Sequence, residues 1–194
     1  MNLPLFPLNT VLFPGCMLDL QLFEARYLDM ISRCMKQGSG FGVVCIVEGD
    51  EVGEAASRFA SIGCEALVRD FQQRPNGLLG IRVEGGRRFR VERAQVLPDQ
   101  LTIAEVAWLD EEVDQPLLPE HADLAALLTA LAEHPLVSGL GMASLVGGQQ
   151  QLANQLAYLL PLDPLQKLEL LQQRDPTLRL ERLHALLDQL QGEV

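Results

Sequence analysis

Near residue 112 the periodicity of the chain changes from short strand-like runs to long helical stripes, and that change demands a fold in two parts. In residues 1–112, β-type runs at Gly42–Glu48, Gly63–Phe71, Leu78–Glu84, Arg87–Ala94 and Leu101–Leu109 are separated by turn signals, the spacing of a compact sheet or barrel. In residues 120–194 the apolar positions recur every three or four residues. Leu124, Leu127, Leu128 and Leu131 form one stripe, and Leu152, Leu156, Leu159 and Leu160 form another. Between them Gly139, Gly141, Gly147 and Gly148 mark a break, and residues 113–119, with Pro116 and Pro119, read as a connector. The expected class is α+β, a β lobe followed by a helical lobe.

Local signals fill in that outline. Arg74-Pro75-Asn76-Gly77 lies between two apolar runs, and Asn-Gly readily takes the positive φ angles of a tight hairpin. Gly85-Gly86 offers a second reversal before Arg87, which predicts a three-strand meander. One helix interrupts the β part, because Phe23, Tyr27, Met30, Ile31 and Cys34 recur at helical steps and Gly38 supplies a stop. Asp163-Pro164 and Asp175-Pro176 each set a capping carboxylate before a proline at the first helical position. Two short helices are expected there, the first burying Leu165, Leu168 and Leu171, the second carrying Leu180, Leu183, Leu187 and Leu190.

Charge narrows the range of functions. The net charge is -11, with 11 Lys/Arg against 16 Asp/Glu up to Glu112 and 4 against 10 beyond it. An acidic balance in both parts disfavours general nucleic-acid binding, which depends on neutralising phosphates with Lys and Arg. No apolar run is long enough to span a bilayer, and the amino terminus lacks a basic leader, so a cytoplasmic location is expected. Cys16, Cys34, Cys45 and Cys64 are widely spaced and read as reduced core residues rather than metal ligands.

Catalytic patterns are missing, so no enzyme activity, cofactor or metal is expected. There is no phosphate-binding G-x-x-x-x-G-K-[ST] loop. The two lysines, Lys36 and Lys167, sit at apparently solvated helical positions unsuited to a Ser-Lys dyad. His121, His134 and His184 lack metal-ligand spacing and suit solvated or capping roles. Gly139-Leu140-Gly141 lacks the third glycine and the strand-to-helix context of a dinucleotide loop. Asp110-Glu111-Glu112 with Asp114 reads as a solvated linker beside prolines.

Two clusters remain as candidate binding surfaces. Strand alternation sends Arg88 and Arg90 to one face, either as an anion patch or as ion-pair partners of Glu84 and Glu92. Leu78 and Leu79 are adjacent, so one of them points outward; with Phe71 across the hairpin they form an apolar patch unless the helical lobe covers them.

The opening Leu3-Pro4-Leu5-Phe6-Pro7-Leu8-Asn9-Thr10-Val11-Leu12-Phe13-Pro14-Gly15, then Leu18-Asp19-Leu20 and Phe23-Glu24-Ala25-Arg26-Tyr27, resembles the start of the Lon amino-terminal domain family. Gly63–Phe71, Pro75-Asn76-Gly77, Ile81–Val91, Leu156–Leu162 and Leu180–Leu183 continue the resemblance in order. It implies a PUA-like β-barrel lobe followed by a helical bundle. In full Lon proteases an AAA+ motor and a Ser-Lys protease follow this region, and the sequence here stops at Val194. The resemblance therefore implies a free-standing, non-catalytic module that binds unfolded polypeptide or a protein partner, as an adaptor or a chaperone-like factor. The alternative is RNA or nucleotide binding by the barrel through the arginine cluster. Glu24 and Arg26 are expected to clamp the first helix against the barrel, and Pro14-Gly15 to turn the backbone.

Overall fold

A computed structural model describes residues 1–142 and 146–192. The helical part expected over 120–194 thus includes residues 143–145 and 193–194, which lie outside the described residues. The chain is α+β and forms two compact units, Met1–Asp110 and Glu111–Val194.

The first unit holds six strands, β1 (Asn2–Leu8), β2 (Met17–Leu22), β3 (Phe41–Glu48), β4 (Arg58–Gln73), β5 (Leu79–Val96) and β6 (Thr102–Trp108). Helix α1 (Ala25–Gln37) lies between β2 and β3 in sequence. The strand order is β2-β5-β4-β3-β1-β6, and β6 also pairs with β5. Five strands therefore close into a ring, with β2 added on the first half of β5.

Gly85-Gly86 does not reverse the chain. Leu79–Val96 is one continuous strand, so the expected meander is replaced by a single long hairpin of β4 and β5. The glycines serve close approach instead. A Cβ on Gly85 would lie 2.0 Å from the Phe13 carbonyl oxygen, and Gly85 exchanges backbone hydrogen bonds with Gly15 and Cys16 at 2.8 Å. Both turn residues expected at Pro14-Gly15 are used: Gly15 has φ +75°, and the Cys16 N–H donates to the Phe13 carbonyl.

The register also shifts at this point. Ala66 faces Gly85 and Cys64 faces Arg88, so β5 carries one extra residue, a β-bulge at Gly86-Arg87. Each extra residue switches the side chains to the other face. Ile81, Val83 and Gly85 consequently share a face with Cys64 and Ala66, while Phe89 joins Leu3, Leu5, Val44, Ala104 and Val106 on the opposite face. One strand thus feeds two cores. Over the first of them α1 packs Tyr27 against Phe6, with ring centroids 3.9 Å apart.

At the hairpin tip only Gly77 takes positive φ, +80°, and its N–H donates to the Arg74 carbonyl. Pro75 and Asn76 are thus the central residues of an ordinary turn, with glycine absorbing the left-handed step after it. No atom crowds a Cβ built at Gly77. Gly77→Ala is therefore expected to cost about 1 kcal/mol, through backbone strain alone, measurable by urea denaturation.

In the second unit a 3-10 turn (Pro119–His121) leads into α2 (Ala122–Glu133), α3 (Pro135–Ser138), α4 (Gln149–Leu159), α5 (Pro164–Gln172) and α6 (Pro176–Gly192). The Asp163 carboxylate accepts the Gln166 N–H and that of Asp175 accepts the Thr177 N–H, as the Asp-Pro pairs imply. His121 and His134 likewise accept N–H bonds at the starts of their turns. Leu165, however, is 73% exposed, and Leu168, Leu170 and Leu171 are the buried residues of α5. In α6 the inward stripe is Leu180, Leu183 and Leu186, while Leu190 is exposed, and the helix runs to 17 residues rather than being short. The step from 183 to 186 keeps the stripe on one face, where 187 falls at its margin.

The core of this unit also contains polar residues that the leucine stripes do not announce. Arg179 is buried and donates to the Asn154 side chain and the Gln173 carbonyl. Gln149 is buried too, donating to the Pro116 carbonyl and accepting from the Thr177 hydroxyl.

Candidate functional site

A cleft of about 280 Å³ opens on the α1 side of the sheet. Phe6 and Leu8 of β1, Leu20 and Leu22 of β2, and Tyr27 of α1 make its apolar floor. Topology explains why an opening exists here. β1 pairs with β6 only through Asn2–Leu5 and with β3 only through Leu5–Leu8. Among the described residues the later half of β1 and the outer edge of β2 therefore both lack a further strand, and the cleft lies between them. Phe23 and Val52 stand on its rim at 53% and 55% exposure. Phe23 does not join the buried face of α1, since the helix begins only at Ala25.

Of the hairpin residues singled out from sequence, Phe71 and Leu79 lie on this same sheet face. Leu20, Ile81 and Phe71 form one row across β2, β5 and β4, and Leu22, Leu79 and Gln73 form the next. Ile81 is buried, Leu78 and Leu79 are half-buried, and Phe71 is 42% exposed. Phe23 beside the cleft and Phe71 on β4 are thus exposed, while Leu20, Leu22 and Ile81 of the intervening face are buried. Phe23, Val52 and β2 escaped sequence reasoning; the signal was the alternation of Leu18, Leu20 and Leu22, which marks one apolar face.

The cleft wall is held by a small set of polar contacts. Arg26 is buried, pairs with Glu24 at 3.0 Å and donates to the Gln100 carbonyl at 2.8 Å. Gln100 has φ +67° and accepts the Ala55 N–H through its side chain. The Glu24-Arg26 pair therefore ties the start of α1 to the β5–β6 turn and, through Gln100, to the loop that carries Val52. Burial pushes the Tyr27 hydroxyl above its ordinary range, so that residue is a neutral wall at physiological pH.

On the opposite face of β2, Arg82 makes a two-pronged contact with Asp19 at 2.7 and 2.9 Å. That hydrogen bond holds the Asp19 carboxyl below its usual value of 3.8. A depressed carboxylate stabilises the fold fully above its unfolded pKa and loses that contribution as the pH falls through the folded one. Asp19→Asn is accordingly expected to lower stability at pH 7 by roughly 0.5 kcal/mol, because solvent screens the pair. The difference from the parent should vanish in acid, as thermal melts across that pH range would register.

Arg88 and Arg90 face Cys64 and Ile62, so alternation does put them on one side of the sheet. They do not share an environment. Arg88 is 0% exposed and Arg90 is exposed, so the pair is not a two-arginine surface patch. Of their neighbours, Arg87 lies over the Trp108 ring at 3.9 Å and 3.5 Å from Glu65, while Glu84 pairs with Arg69.

Among the described residues no group of three or more His, Cys, Asp or Glu side chains is arranged to hold a metal ion. Asp114 instead accepts the Gln150 N–H at the start of α4, and Glu111 accepts from the Gln150 side chain. Cys16, Cys34, Cys45 and Cys64 are buried free thiols, and burial raises the pKa of Cys34 and Cys45. Lys167 donates to the Tyr158 carbonyl at 2.6 Å rather than standing solvated. No described helix is long and apolar enough to cross a membrane.

Residues 2–189 match the family of the ATP-dependent protease La (LON) substrate-binding domain. The chain belongs to that family. A solved structure described as a Lon N-terminal domain protein from Xanthomonas campestris is 39% identical, with a TM-score of 0.78 over 95% of this chain and 98% of that one. The N-terminal domain of a Mycobacterium avium complex Lon protease shares the fold, with a TM-score of 0.64 at 20% identity over 94% of this chain and 96% of that one. The Lon protease of Flavobacterium johnsoniae is 25% identical over 112 residues, 57% of this chain. That match spans only 14% of the Flavobacterium protein's length.

Proposed function

We propose that this Lon substrate-binding domain is a non-catalytic module that holds unfolded polypeptide segments, in an adaptor or chaperone-like role. The observation that carries the reading is the exposure of Phe23 and Val52 on the rim of an apolar-floored cleft and of Phe71 on the same well-paired sheet, large apolar side chains left in solvent. The family supports it, since its description is a substrate-binding domain. Binding energy would come from apolar burial, so affinity should survive added salt. Four buried free thiols suit the reducing cytosol we propose as its location.

The test is a titration of a labelled unfolded polypeptide and a labelled structured RNA against the protein at two salt concentrations. Polypeptide binding that persists in salt and weakens about tenfold or more in Leu79→Asp is the expected result. Failure to bind any unfolded polypeptide at high protein concentration would refute the reading. RNA binding that collapses with salt would redirect it to the arginines.

A further inference from the structure

We propose that the captured segment adds as an extended strand along the outer edge of β2, feeding alternate side chains into the cleft, and that it is basic rather than acidic. The inference rests on the polypeptide-binding reading and adds how the segment is held and what flanks it.

The edge itself is the first argument. β2 pairs with β5 residue for residue from Met17 to Leu22 without a register shift, and among the described residues it has no second strand partner. A regular edge of this kind presents a row of backbone donors and acceptors spaced for another strand. Three of the usual protections are missing, since β2 contains no proline, no lysine and no bulge. At about 3.4 Å per residue the edge from Leu18 to Leu22 offers roughly 17 Å of ladder. The cleft lies beside it, so alternate side chains of an added strand would stand next to Leu20 and Leu22 on the cleft face, and the others on the opposite face.

Charge supplies the second argument. Asp19, Glu24 and Glu51 line the cleft, and no Lys or Arg does. Asp19 and Glu24 have arginine partners, but neither Arg82 nor Arg26 lines the cleft, whereas both carboxylates do, together with Glu51, which accepts the Asn9 N–H. With a net charge of -11 on the chain, acidic segments are repelled and basic flanks attracted.

The probe is a fluorescein-labelled peptide of alternating leucine and threonine with lysine flanks, followed by fluorescence anisotropy. Two further versions carry N-methyl groups on alternate amides, one set on each edge of the strand. Side chains are identical in all three, so only backbone pairing differs. One methylated version should lose at least about tenfold in affinity, while the other stays close to the parent. Equal binding by both would overturn strand addition and leave side-chain capture, with the polypeptide-binding reading intact. Equal loss in both would overturn it as well. If the unmodified peptide and every unfolded polypeptide fail to bind, both readings fall together. Replacing the lysine flanks by glutamate should weaken binding several-fold at low salt and less at high salt; unchanged affinity would overturn the charge preference.

Discussion

Gly85→Ala is expected to destabilise the barrel unit by roughly 3 kcal/mol or more, the largest single effect of an added methyl group at any of these glycines. The methyl would sit 2.0 Å from the Phe13 carbonyl oxygen, and that atom belongs to backbone held by reciprocal hydrogen bonds between Gly85 and residues 15–16. Neither side can yield without breaking the turn that Gly15 and Pro14 set up. Gly86→Ala is the control. Its Cβ would meet the end of the Glu65 side chain at 2.9 Å, and a carboxylate can swing aside. The steric cost is offset by the roughly 0.5–1 kcal/mol that alanine gains over glycine in a strand, so a net change of no more than about 1 kcal/mol is expected there. Urea denaturation of the two variants would separate them; equal losses would contradict the close-approach role of Gly85.

Phe89→Ala should cost roughly 3–5 kcal/mol, as deletion of a fully buried ring does when its surroundings cannot collapse. They cannot collapse here. The ring is 0% exposed and fills the space that Gly42 and Gly63 leave open, with its Cζ 2.6 and 2.5 Å from where their Cβ atoms would be. It also meets Trp108 edge to face at a centroid distance of 6.1 Å. Trp108 is the chain's one tryptophan, so its fluorescence reports directly on this core. The expected result is a lower denaturation midpoint for the Trp108 signal. A midpoint unchanged within error would show that the cluster around Phe89 does not hold the barrel together.

These two residues also mark what the sequence could and could not disclose. Alternation located most strands and the hairpin at Pro75-Asn76-Gly77, because each strand there has one dominant apolar face. It failed at Gly85-Gly86, where the two readings of a glycine pair, reversal and close approach, look alike in one dimension. The bulge behind that pair switches faces, which puts Arg88 on the side of Cys64 and Phe89 on the other; that Arg88 is buried and Arg90 exposed on one side leaves no trace in the alternation. β1 was not read as a strand, although its residues open the family-like run. Pro4 and Pro7 argue against a strand, but each sits in the half of β1 that has a partner on one side only. In the helical unit, leucine spacing and Asp-Pro caps placed the helices. The buried Arg179-Asn154 contact was invisible, because hydrogen bonding between distant polar residues leaves no periodic trace.

The candidate surface was half legible. Phe71 and Leu79 follow from a hairpin with adjacent leucines, while the cleft depends on an opening between β1 and β2 that only the closed topology creates.

Hydrogen–deuterium exchange on the protein with and without an unfolded polypeptide tests the central claim most directly. Protection confined to residues 17–24 and 71–81 is the predicted result. Protection absent from both segments, or restricted to the unit that begins at Glu111, would contradict it.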